Sequence, residues 1–281
     1  MSQKLTGSDG LQFLQQISGY TWPDGGRAPA ERFAWIKRDA VSNDPGKAQR
    51  AGVAAHTIAL FLSDPENDLA NLPAGFFGLQ RRSLGELNPN LAAAYAEALT
   101  PFLGALVGDV RKVTGFEIVG DPLNLTAART IFSIIDSNTS AGIEFNNAAY
   151  DRVRNYLQEY GQSVSNREAD GLVSLQFAAA LAGVVEGGQR ESGNTAIKTL
   201  TPQHFVNFAR YEIAKSMGAQ PGKQGIPAQF FTPEGDLKSP DSLSQSDLSE
   251  FSTALENFTF AQGLSNLGID FRRWYEVGAG P

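Results

Sequence analysis

Leu87-Asn88-Pro89-Asn90-Leu91-Ala92-Ala93-Ala94-Tyr95-Ala96-Glu97-Ala98-Leu99 reads as a helix start followed by its helix. An asparagine before a proline offers a side-chain acceptor to the orphan amides of a first turn, and proline supplies a helical φ where its missing N–H is not needed. Leu91, Tyr95, Leu99, Phe102 and Leu106 then recur at steps of three and four, the spacing of one helical face. The same grammar repeats outward. Asn124 or Thr126 caps a helix carrying Leu125, Ala128, Phe132 and Ile135, a loop follows at Asp136 to Gly142, and Phe145, Ala149, Val153 and Tyr156 or Leu157 trace a stripe closing at Gly161.

Thr201-Pro202 opens another helix, with Phe205, Ala209, Ile213 and Met217 stepping by four to Gly218. Asp247, with Glu250 three residues later, resembles a capping box ahead of Leu248, Phe251, Leu255 and Phe258. Upstream, Pro45-Gly46 opens a helix to about Leu62, and Pro29 to Ala40 predicts a shorter one. Strand signals occur once, at Phe116-Glu117-Ile118-Val119. The pattern predicts an all-α multi-helix bundle of about nine to eleven helices. Pro221, Pro227, Pro233 and Pro240 mark a Pro/Gly/Ser-rich linker. The expected organisation is therefore an N-terminal segment of short helices at 1–44, a helical core at 45–217, a linker at 218–246 and a C-terminal helix at 247–281 that docks on the core.

Composition narrows the chemistry. The 281 residues are 42% hydrophobic and 19% charged, a globular balance far from that of disordered chains. No cysteine is present, which removes disulfides, thiolate metal sites and cysteine nucleophiles. A net charge of −7 opposes a general nucleic-acid surface, and Arg81-Arg82 and Arg272-Arg273 read as solvated faces. Met1-Ser2-Gln3-Lys4-Leu5 lacks the apolar core of a cleavable signal peptide, so the chain is expected to be cytoplasmic or exported by another route. No transmembrane segment is expected. Leu172 to Val185 is the most apolar stretch, and it suits a buried helix.

Few motifs point to a reaction. Asp136, Asn138, Ser140 and Asn147 trace the outline of a calcium loop, but its glycine falls late and Asn147 stands where a bidentate glutamate is needed. Gly218 to Lys223 has the wrong spacing for a phosphate loop. His56 and His204 sit near apolar neighbours with no third ligand in reach. Tyr20-Thr21-Trp22-Pro23-Asp24 fits the Tyr-x-x-x-Asp/Glu pattern of type VII secretion substrates, a short pattern of which about one chance match is expected here. No catalytic residue, cofactor or metal site is expected.

The run from Leu87 to Leu99, with Pro122-Leu123-Asn124-Leu125-Thr126-Ala127-Ala128-Arg129 and Ala148-Ala149-Tyr150, resembles a helical domain of unknown function. That domain occurs in mycobacterial and other actinobacterial proteins, some labelled as having a TPR repeat region. The resemblance implies a link to type VII secretion or to the non-toxic parts of polymorphic toxins. The expected function is a non-enzymatic protein-interaction module, the accessory region of a secreted effector, with Leu248, Phe251, Leu255 and Phe258 as partner-binding residues. An enzyme with an unrecognised active site and an apolar small-molecule carrier are the alternatives. A protein partner is expected, and monomer and homodimer both remain open.

Overall fold

The computed structural model of the chain describes residues 7–75, 79–168 and 170–281. Met1 to Leu5, read above for a leader, lies outside them. The fold is all-α: α1 (Gly7–Gly19), α2 (Arg27–Ala30), α3 (Ala34–Ala40), α4 (Pro45–Ser63), α5 (Leu84–Leu87), α6 (Pro89–Leu99), α7 (Thr126–Asp136), α8 (Thr139–Asn166), α9 (Gly171–Ser192), α10 (Pro202–Ser216), α11 (Gln245–Ala261) and α12 (Leu267–Ala279). Two of these, α2 and α5, are single turns of 4 residues. The sheet content among the described residues is one antiparallel hairpin, β1 (Leu72–Ala74) with β2 (Gln80–Arg82), which the sequence pattern missed because three-residue strands carry too little alternation.

Two compact units partition the chain. One takes the residues up to Tyr150 with Gly183–Thr199 and Val277–Pro281, and the other takes Asp151–Ala182 with Leu200–Glu276. Three of these boundaries fall inside α8, α9 and α12, the fourth falls between α9 and α10, and none falls at the 218–246 segment. Composition follows the chain locally, whereas compactness follows contacts between distant residues.

In the first unit α4 packs against α1, α3, α6 and α7. Its face of Ala51, Ala54, Ala55 and Ile58 is fully covered, and small side chains let several helices approach one axis. Beside it lies Tyr95, wholly buried, with its ring edge-on to Phe33 at 5.1 Å and its hydroxyl 2.9 Å from Ser18 Oγ. Asn88 does not cap α6 with its side chain. Its Nδ2 donates to the carbonyls of Ser18 and Tyr20 and its Oδ1 accepts from Trp22 N, so the asparagine ties the N-terminal segment to the body. Phe116 to Val119 is not a strand. It is an irregular segment without a ladder partner, anchored by Phe116, which stacks on Phe102 at 5.1 Å.

The expected loop at Asp136 to Gly142 contracts to Ser137-Asn138, because Asn138 Oδ1 accepts from Ala141 N and starts α8 at once. Gly142 therefore lies inside a helix. So does Gly161, which does not end one: a Cβ there would lie 2.7 Å from backbone atoms of Glu212, so the glycine serves close helix approach. Pro29 to Ala40 is likewise two short helices, α2 and α3.

In the second unit Thr201 Oγ1 caps α10 by accepting from His204 N. The cap of α11 is Ser244, whose Oγ accepts from Asp247 N, so Asp247 occupies the third helical position and not the cap. The C-terminal region holds two helices, α11 and α12. Between α10 and α11 the chain is irregular but not loose: Ile226, Phe230 and Phe231 are buried, and Phe231 bridges to Leu237. Helix α9 is 22 residues, long and apolar enough by length and composition to cross a membrane, and 72% of that apolar window is buried in the fold.

Candidate functional site

Three of the four residues expected to bind a partner are covered by their own chain. Phe251, Leu255 and Phe258 are at most 1% exposed, while Leu248 is half-buried. The Phe230 ring lies 4.9 Å from that of Phe251, and α11 packs along α10. An amphipathic stripe needs a cover, and here the irregular segment and α10 supply it. The stripe is core, not a free surface.

Of the titratable groups shifted by burial, Tyr211 and Glu212 are neighbours that share Lys215; Asp136, His56 and His204 have no such partner among the shifted groups. Desolvation raises the Asp136 carboxyl to about 7, opposed by the hydrogen bond from Asn146. Desolvation lowers His56, whose ring meets Phe116 edge-on at 5.4 Å, with Glu117 opposing. It also lowers His204, with Asp241 opposing and Arg154 assisting. His204 Nε2 lies 3.6 Å from Asp241 Oδ1, and Arg154 donates to Asp241 Oδ2 at 3.0 Å. This cluster ties the Pro240–Ser242 turn to α8 and α10 residues of the same unit. Glu212 is raised by desolvation, with Lys215 opposing. It lines a polar cavity of about 330 Å³ together with Gln158, Ser165 and Lys215.

A larger cavity, about 440 Å³, opens among α10, α11 and α12. Pro202, Val206 and Arg210 come from α10, Glu256 from α11, and Ile269, Arg272 and Arg273 from α12. Val206 and Arg210 are four apart, which places both on one face. Arg210 is buried within the run Phe205 to Ala214 and donates from Nη2 to Glu256 at 2.6 Å. Its Nε has no hydrogen-bond partner among the described residues. Sequence reading missed Arg210; Arg272 and Arg273, read as a solvated face, are exposed, and both also border the cavity. The available signal was an arginine one position off the Phe205, Ala209, Ile213 stripe, where a charge is costly unless partnered. Among the described residues no cluster of His, Cys, Asp and Glu is arranged to hold a metal. No family model, curated protein or solved structure matches this chain.

Proposed function

We propose that this chain is a non-enzymatic helical protein-interaction module, in the setting that its resemblance to the actinobacterial helical domain implies: the accessory region of a type VII-secreted effector. The observation that carries the reading is two large apolar side chains left in water on successive helices, Phe260 on α11 at 69% and Ile269 on α12 at 70% exposed. The rest of α11 buries its aromatic residues, Phe251 and Phe258, so an outward phenylalanine on this helix favours a contact that a partner completes.

The test is capture of native partners from the source cell with the unaltered chain and with a Phe260→Ser, Ile269→Ser double variant. A protein retained by the first and lost by the second supports the reading. Equal capture by both, or none by either, overturns it. Both sites are exposed, so the double variant is expected to melt within a few degrees of the parent.

A further inference from the structure

We propose that the cavity among α10, α11 and α12 binds a small organic anion, its carboxylate or phosphate oxygens held by Arg210, Arg272 and Arg273 and its short apolar tail by Val206 and Ile269. Ile269 is shared with the interaction reading, but the charge and hydrogen-bond observations are not, and the Arg272, Arg273 variant below separates the two.

Charge is the first observation. Three arginines and two glutamates, Glu256 and Glu276, line the cavity, so its formal balance is positive in a chain of net charge −7. Arg210 is engaged with Glu256, while Arg272, Arg273 and Glu276 form no ion pair among the described residues. Arg273 leans toward the Trp274 ring, 5.9 Å from its centroid. The unengaged groups therefore sum to one positive charge, which suits a single oxyanion. Pro202 and Gln203 from the first turn of α10 and Gly268 and Ile269 from that of α12 add two helix ends of positive character.

Arg210 supplies the second. Its side chain is 10% exposed, whereas that of its partner Glu256 is 60% exposed. A guanidinium presents Nε and Nη2 as a fork matched to two oxygens, but Glu256 meets only Nη2 and leaves the buried Nε–H unmet. A buried donor without an acceptor is unfavourable. Glu256 is thus a one-point occupant of a two-point site, free to swing into water. An incoming anion replaces it, the guanidinium and the two oxygens closing on each other so that both Nε and Nη2 are met.

Size and lining set the rest of the ligand. A cavity of about 440 Å³ fits a small molecule and not a folded partner. Val206 and Ile269 give one apolar wall, enough for a short alkyl or aromatic tail.

Calorimetric titration of the full chain tests this with four probes: hexanoate, hexyl phosphate, inorganic phosphate and 1-hexanol. At least one of the two tailed anions is expected to bind more tightly than inorganic phosphate, and hexanol is expected not to bind. Which anion is preferred identifies the headgroup. The exposed pair Arg272→Gln, Arg273→Gln is expected to weaken binding about tenfold or more, and Arg210→Gln to do the same. Glu256→Gln is expected to strengthen it by about threefold, since it removes both the competing carboxylate and a negative charge. The opposite signs separate a binding role from loss of fold. Absence of binding by both tailed anions, equal binding of hexanol, or an affinity unmoved by the Arg272, Arg273 pair overturns the proposal.

Discussion

Asn146 Nδ2 donates to Asp136 Oδ1 at 3.1 Å in a site where Asp136 has no exposed surface, while the other carboxyl oxygen of Asp136 has no hydrogen-bond partner among the described residues. One hydrogen bond does not compensate an ionised carboxylate for lost water, so the folded state holds the proton and the carboxyl rises from 3.8 to about 7. In the unfolded chain the group ionises near 3.8. Between these values folding takes up a proton, so this group's contribution falls as pH rises from about 4 to about 7 and is flat above. The loss is on the order of 4 kcal/mol. Asp136→Asn keeps the shape and removes the titration. Urea midpoints of both proteins at pH 4.5 and 8 check this: the variant is expected to gain on the parent at the higher pH, while the lowered histidines, common to both, cancel in the comparison.

Phe132 and Gly188 show how tightly α7 and the C-terminal part of α9 meet. The Phe132 ring lies 4.6 Å from that of Phe145, and a Cβ on Gly188 would overlap the Cβ of Phe132. Phe132→Ala is expected to cost about 3–5 kcal/mol through lost burial and the cavity left behind. Gly188→Ala sets two effects against each other. Helix propensity favours alanine by about 1 kcal/mol, and overpacking costs about 1–3 kcal/mol. Overpacking wins, because the neighbour met is a Cβ that cannot turn away. Thermal melts of both variants check the pair, and a stabilised Gly188→Ala protein would show that the helices can part.

The helices were legible because their stripes are local; of the expected caps Thr201 held, while at α7 the cap position falls to a left-handed Leu125 with no side-chain cap, not to Asn124 or Thr126. Thr201 caps α10 as its spacing with Pro202 implies, and Phe132, Phe145, Phe205 and Phe251 are buried on the faces their periodicity assigned. What escaped the sequence depends on distant partners. Asn88 has cap chemistry but spends its side chain on Ser18, Tyr20 and Trp22. Gly161 looks like a helix stop until Glu212 stands against it. The apolar Phe230-Phe231 pair in a polar segment signals docking, and the stripe is covered as expected, but nothing in the spacing says that Phe251 is the ring Phe230 meets. The α10–α12 cavity was illegible for the same reason: its arginines are 62 residues apart, and only the packed helices bring Arg210 and Arg272 to one wall.

Arg129 fastens the end of the chain. It is 5% exposed, donates from Nη1 to the carbonyls of Asn124, Val277 and Gly278, from Nη2 to Thr126 Oγ1 and from Nε to Glu191. Carbonyls at a helix end have no intrahelical donor, so this guanidinium satisfies groups that would otherwise be buried unmet. Arg129→Met preserves much of the volume and removes all five bonds. It is expected to cost about 2–4 kcal/mol and to speed amide exchange over Val277 to Gly280. Hydrogen exchange read by mass spectrometry checks the location, since a global loss with unchanged exchange at the C-terminus would place the role elsewhere.

The segment between α10 and α11 carries four prolines and no long helix, yet only part of it is open to a protease. Residues 221–225 are exposed and include left-handed backbone at Gly222, Gln224 and Gly225. Ile226, Phe230 and Phe231 are buried, and Lys238 N donates to Phe230 O. Cleavage requires an extended stretch to leave the surface and enter the protease, so sites held by buried side chains open only through local unfolding. Limited proteolysis is therefore expected to cut first within 219–225 and to leave 226–240 intact until later. Phe230→Ala removes the ring that covers Phe251 and is expected to expose the second region, with new cuts between Phe230 and Lys238 and added binding of a hydrophobic dye. Mass spectrometry of the fragments reads the positions. Unchanged late cleavage in Phe230→Ala would mean that Phe231, Leu237 and Pro240 hold the segment without it, and early cleavage at 226–240 in the parent would mean that the segment does not cover α11 in solution.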